Sequence, residues 1–141
     1  MGAGMIFRSL DERTLVAGQI RPEDVAEAAA AGVTMIVNNR PDCEEPGQPA
    51  GAGIEAAARA AGLDYRHLPV VGGFGPGQVD AMAAALNEAE GKVLAFCRSG
   101  TRSTFLWAMA RASRGGDGAT ILAQAEAAGY DLSPLRPYLL R

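Results

Sequence analysis

A chain of 141 residues is the commonest size for one domain, with room for one hydrophobic core and too little for two, so one domain over residues 5–141 is expected. The 13 basic and 16 acidic residues leave a net charge of −3 and are interspersed rather than gathered in tails. That excludes an electrostatic case for nucleic acid or a membrane surface and favours small-molecule partners.

No run of about 18 apolar residues is present to cross a bilayer, and the N-terminus lacks the basic flank and apolar core of a secretory signal. A soluble, cytoplasmic protein is the expectation. One histidine and two cysteines are too few for the common four-ligand zinc sites, so free thiols and no metal or cofactor are expected. Met1 to Met5 reads partly as an expression remnant, with Met5 as a possible start.

In chain order, Phe7 to Ala17 reads as two short strands around Asp11-Glu12-Arg13, an edge hairpin. Pro22 suits the first position of a helix, Glu23 and Asp24 complement its dipole, and Gly32 can end it, which predicts a helix over Pro22 to Ala31. Thr34 to Asn38 is short, β-branched and apolar, as a strand buried on both faces requires. The prolines, glycines and acids from Pro41 to Gly51 build no regular element and form a long loop.

A helix over Gly53 to Ala61 follows, then a strand over Asp64 to Val71, broken by Gly72-Gly73-Phe74-Gly75. Pro76 opens a helix to about Glu90, and Lys92 to Phe96 is a further buried strand. Helices over Arg102 to Ser113 and Asp117 to Ala128 precede a Pro-containing tail at Ser133 to Arg141. This alternation predicts an α/β fold with a mainly parallel central sheet flanked by helices. Ligands of such sheets bind outside the carboxyl ends of the strands. The loops Asn39 to Gly51, Gly72 to Gly75 and Cys97 to Arg102 should therefore share one rim.

The chemistry concentrates in Phe96-Cys97-Arg98-Ser99-Gly100-Thr101-Arg102-Ser103, which joins a buried strand directly to a helix. Such a turn aims successive backbone N–H groups inward as an anion nest, and the helix N-terminus adds positive potential. A thiol there is pushed toward thiolate and becomes a nucleophile. Gly100 allows the tight backbone path, and Arg102 offers a planar guanidinium for an oxyanion or sulfur anion. Arg98, Ser99, Thr101 and Ser103 are further candidates to bind the same anion.

Arg40 and Asp42 end a strand on the same rim. A role in orienting the loop or touching substrate weighs about equally with a plain loop salt bridge or turn. His67 and Trp107 read as structural residues, and Asp64 and Asp80 as poor substitutes for a catalytic acid. Cys43 is a conceivable resolving thiol for Cys97.

The octapeptide resembles the active-site loop shared by rhodanese-type sulfurtransferases and cysteine-dependent protein phosphatases. Val16-Ala17-Gly18-Gln19-Ile20, Arg21-Pro22-Glu23-Asp24, Ile36-Val37-Asn38-Asn39-Arg40-Pro41-Asp42 and Cys97 to Ser103 together resemble the bacterial family of beta-lactamase-hydrolase-like, phosphatase-like domains. That resemblance covers nearly the whole chain and implies a dual-specificity-phosphatase-like fold, while some members are labelled sulfurtransferases.

Four residues separate Cys97 from Arg102, as in the rhodaneses, where the phosphatase signature has five. The loop Val70 to Gly75 carries no carboxylate for a general acid, a group worth roughly 10²–10⁴-fold. Both departures favour a persulfide on Cys97 passed to a small-molecule or protein thiol acceptor. Hydrolysis of a phosphorylated substrate through a Cys97 phosphoenzyme is the alternative, and an anion-binding module with little turnover is the third reading.

Overall fold

The fold is that of a computed structural model, which describes residues 5–140; Met1 to Gly4, where the remnant was read, lie outside them. Five strands form one sheet: β1 (Arg8–Ser9), β2 (Thr14–Ala17), β3 (Val33–Asn38), β4 (Asp64–His67) and β5 (Lys92–Phe96), in the order β1-β2-β5-β3-β4. The β1–β2 hairpin is antiparallel and every other pairing is parallel. The α/β expectation, a mainly parallel sheet flanked by helices, holds.

The helices are α1 (Val25–Ala30), α2 (Gly51–Ala60), α3 (Pro76–Glu88), α4 (Thr101–Ser113), α5 (Gly118–Ala127) and the short α6 (Arg136–Leu139). Alternate residues of the central strands feed two cores. Val93 and Ala95 of β5, with Met35 and Val37 of β3, pack under α3, α4 and α5 beside Trp107 and Ile121. Leu94, Phe96, Val33 and Ile36 point the other way, to Ile54 and Ala58 of α2 and Val25 of α1. A strand with both faces covered needs apolar residues on both, as β3 supplies from Met35 to Val37 and β5 from Val93 to Phe96.

Several boundaries differ from the sequence expectation for local reasons. The first turn of the helix expected over Pro22 to Ala31 is a 3-10 turn, Pro22–Asp24, in which the Asp24 carboxylate accepts the Arg21 N–H at 2.8 Å. The strand expected to reach Val71 stops at His67, because Pro69 has no N–H to continue a ladder. Leu68 and Val70 still donate to the carbonyls of Asn38 and Asn39, both at 2.9 Å. The C-terminal tail is structured, with a 3-10 turn at Ser133–Leu135 leading into α6.

Register decides where the chemistry can sit. Ala17 pairs with Phe96, Phe96 with Asn38, and Asn38 with His67, so four parallel strands end level. The residues that follow, Gly18, Cys97, Asn39 and Leu68, open onto one rim, with Cys97 at its centre.

Candidate active site

Cys97 leaves the central strand fully buried. Its Sγ accepts the backbone N–H of Gly100 at 3.1 Å, so the loop turns its donor toward the sulfur as an anion nest requires. Gly100 has φ 92°, a left-handed conformation that glycine adopts without steric cost, and α4 begins at the next residue. A Cβ at position 100 would run into the Tyr130 side chain, whose hydroxyl donates to the Ser99 carbonyl at 3.1 Å. Gly18 supports the loop from the β2 side: a Cβ there would sit 3.0 Å from the Arg98 carbonyl, which accepts the Gln19 N–H at 3.2 Å. Neither Tyr130 nor Gly18 was singled out from sequence.

Arg102, on the first turn of α4, is held by two oxygens of Glu44, at 2.6 Å from one terminal nitrogen and 2.8 Å from the other. The first of these nitrogens also donates to the Val70 carbonyl at 2.9 Å. The hydrogen bond with Glu44 raises the Arg102 pKa above its ordinary value against desolvation, and the neighbouring Cys97 adds to the rise. Glu44 in turn is pulled down to about 2, first by Arg102 and then by Arg40, against desolvation.

The sequence expectation for Arg40 divides here. Its side chain is 2% exposed; it donates to Glu44 at 2.7 Å, Glu45 at 2.9 Å and Gln19 at 3.0 Å. Burial alone would lower its pKa, but the two glutamates outweigh that and raise it. Each guanidinium nitrogen of Arg40 thus already has a partner within the protein, an arrangement that suits the loop-orienting role. Asp42 is exposed, and its carboxylate accepts the Gly51 N–H at the start of α2 at 2.8 Å.

Beyond Arg40, Glu45 reaches Arg98 at 3.7 Å. The chain Arg98–Glu45–Arg40–Glu44–Arg102 thus clasps both ends of the Cys97 to Arg102 loop. Glu44 and Glu45 were missed from sequence, although adjacent acids in the middle of a long rim loop were the available signal.

The hydroxyl candidates separate. Ser99 and Thr101 are exposed and bond each other at 3.1 Å. Ser103 is fully buried and donates to the Asn39 side chain at 2.7 Å, so it ties α4 to the end of β3 rather than facing an anion. His67 is exposed and bonds the Arg40 carbonyl at 2.9 Å, and Trp107 is buried in the core. Asp64 is engaged by Arg59 and Arg66. Both cysteines are free thiols, Cys43 exposed and Cys97 buried. No helix is long and apolar enough to cross a membrane among the described residues.

A buried cysteine closing the central strand, a glycine turn donating to its sulfur and an arginine on the next helix are set in one loop. The sequence model of the beta-lactamase hydrolase-like protein, phosphatase-like domain, matches residues 6–114. The chain belongs to this family. A beta-lactamase hydrolase-like protein of Agrobacterium fabrum is 40% identical over 107 residues, which are 75% of this chain and 25% of that one; the chain thus spans about a quarter of the length of the curated relatives it matches.

A solved structure from Neisseria meningitidis, described as a phosphatase candidate, is 35% identical and superposes with a TM-score of 0.81 over 94% of both chains. Human DUSP28, at 17% identity and a TM-score of 0.65 over 95% of this chain and 90% of that one, shares the fold. The dual-specificity-phosphatase-like fold of this family is thereby established. Of the two enzymatic expectations, the comparisons fit the phosphatase alternative better than the leading one of sulfur transfer.

Proposed function

We propose that this domain is a cysteine-dependent phosphatase. The Cys97 sulfur attacks phosphorus, the ester P–O bond breaks, and the leaving oxygen takes a proton from solvent. Water then attacks the phosphocysteine, the S–P bond breaks, and inorganic phosphate leaves with the thiol restored. The observation that carries the reading is the Gly100 N–H aimed at Cys97 Sγ, next to an arginine that Glu44 holds in place. Such pre-set donors stabilise charge as it develops on a transferring group. The likeness to the Neisseria phosphatase candidate over 94% of both chains supports the same choice.

The electrostatics narrow the substrates. The two carboxylates that pair with the loop, Glu44 and Glu45, are both held ionised by arginines, so neither carries a proton to donate at neutral pH. Leaving groups that need little protonation are favoured, which places phosphotyrosine and activated aryl phosphates ahead of phosphoserine by roughly the 10²–10⁴-fold worth of a general acid. Phosphate release from phosphotyrosine peptides at about 1 s⁻¹ or faster, within the ordinary range of enzymes, with complete loss in Cys97→Ser, is the expected result.

The four-residue interval between Cys97 and Arg102 favours a second reading, transfer of sulfur through a Cys97 persulfide. Mass spectrometry after exposure to thiosulfate separates the two. One added sulfur on Cys97, together with no phosphate released from any aryl or alkyl ester, would overturn the phosphatase assignment.

A further inference from the structure

Beside the catalytic loop lies a second cavity, of about 480 Å³, walled by Arg21, Arg40, Arg98, Gln19, Glu45 and the Pro46 to Pro49 turn. It holds three guanidinium groups against one carboxylate. Arg98 directly follows Cys97, and its side chain is 68% exposed. Its only ion pair among the described residues is the 3.7 Å approach of Glu45, too long for a hydrogen bond. Arg21 is exposed, and no carboxylate lies within ion-pairing distance of its guanidinium among the described residues. The two arginines are brought together by the backbone, because Gln19 donates to the Arg98 carbonyl and Gly18 packs against it.

The other polar groups of the cavity are already committed. Gln19 accepts from Arg40 and donates to the Ile20 carbonyl; Gln48 accepts the Glu44 N–H and donates to the Pro41 carbonyl. Arg40 spends one N–H of each guanidinium nitrogen on the two glutamates and Gln19 and is 2% exposed. The exposed guanidiniums open to a ligand are those of Arg21 and Arg98, so the cavity selects on negative charge rather than on neutral hydrogen-bonding shape. Glu45, itself 45% exposed, already reaches toward this position as an internal anion.

We propose that this cavity is a second anion subsite, and that the substrate carries a second anionic group, a phosphate or a carboxylate, which pairs with Arg98 and Arg21 while its phosphoryl group meets Cys97 and Arg102. The inference rests on the phosphatase reading for the chemistry at Cys97 and adds the class of substrate. A phosphate or carboxylate gripped by two guanidiniums gains charge-assisted hydrogen bonds that a neutral flank cannot offer, and it replaces only the long 3.7 Å approach of Glu45 to Arg98.

The test uses short phosphotyrosine peptides with alanine, glutamate or phosphoserine scanned through the two positions on each side. For the wild-type chain, at least one peptide with a second anion should show kcat/KM about tenfold above its alanine counterpart, and the phosphoserine and glutamate arms tell a second phosphate from a carboxylate. The within-variant ratio of doubly to singly anionic peptide should fall to about one in Arg21→Ala and in Arg98→Ala. Taking that ratio cancels any change in basal rate, and unchanged melting temperatures confirm that the variants fold.

A wild-type ratio near one at every position, or a tenfold ratio that survives both substitutions, overturns the subsite. Should the wild-type chain release no phosphate from any peptide, the phosphatase reading fails separately. The subsite is then judged by titration calorimetry of the same peptides on Cys97→Ser: about tenfold tighter binding of a doubly anionic peptide supports it, and equal binding overturns it.

Discussion

Two five-membered chains of alternating charge run through this molecule, and they differ in what surrounds them. One, Arg98–Glu45–Arg40–Glu44–Arg102, clasps the catalytic loop; the other, Glu55–Arg59–Asp64–Arg66–Glu88, links α2, β4 and α3 on the outside. Distances hardly separate them, since the outer pairs close at 2.9–3.2 Å and three of the inner four at 2.6–2.9 Å. Burial does. Arg40, the hinge of the inner chain, is 2% exposed, whereas Asp64, the hinge of the outer one, is 41% exposed. Exposed pairs are worth about 0–1 kcal/mol, while breaking a buried one typically costs about 3–5 kcal/mol. The same pattern of charges is structural in one place and incidental in the other.

The most forceful way to break the comparison is at Arg40 and Glu44 of the inner chain. Arg40→Ala should lower the unfolding free energy by about 3 kcal/mol, read as a fall in the urea midpoint with the slope unchanged. It empties a buried volume and frees two glutamates from their shared partner. Glu44→Gln keeps the shape but removes the charge that fixes Arg102, so kcat/KM should fall about tenfold, a loss of roughly 1.4 kcal/mol in transition-state stabilisation. A Glu44→Gln protein with unchanged turnover would mean that Arg102 finds its place without the clasp.

Acid sharpens the same contrast. Glu44 falls from its ordinary 4.5 to about 2 in the folded protein, so across that interval the unfolded chain binds the extra proton. The contribution of this carboxylate to stability is therefore complete above about pH 4.5 and is lost as pH falls toward 2. Glu44→Gln lacks this component, so the stability difference between wild type and variant should narrow through that window. A difference that stays constant from pH 6 to pH 2.5 would show that the clasp does not hold Glu44 as an anion.

The turn that joins Cys97 to Arg102 was legible in the sequence and the clasp was not, for a physical reason. Cys97, Gly100 and Arg102 lie within one turn of backbone, so a strand ending at Phe96 and a helix starting near Arg102 fix their relation locally. Glu44 meets Arg102 across 58 residues, and the position of a carboxylate in the Pro41 to Gly51 loop depends on how Gln48 and Asp42 fold that loop back on itself. Nothing in the local pattern of prolines and glycines encodes that path.

Arg40 was half legible, since its place at the end of β3 put it on the rim but did not say that it would be buried. Ser103 was misjudged because helix position alone does not say which hydroxyls face inward: it points to Asn39, while Ser99 and Thr101 stay on the surface. The overlong β4 came from counting apolar residues past Pro69.

The smallest effect is expected on the outer chain, where Arg59→Ala should cost no more than about 0.5 kcal/mol and leave kcat/KM within twofold. Arg59 lies on the solvent side of α2, 54% exposed, and reaches both partners at 3.2 Å, so holding its long side chain in place offsets much of the Coulomb gain. Asp64 does not lose its support, because Arg66 still donates to it at 2.9 Å and the Tyr65 N–H at 2.8 Å. Whatever remains of the effect should vanish in about 1 M salt, where the screening length is roughly 3 Å, whereas most of the loss in Arg40→Ala should persist there because its side chain is 2% exposed and buried pairs are screened much less. Urea unfolding of both variants at low and high salt measures this directly. A loss in Arg59→Ala that rivals Arg40→Ala, and is equally indifferent to salt, would show that burial is not what distinguishes the two chains.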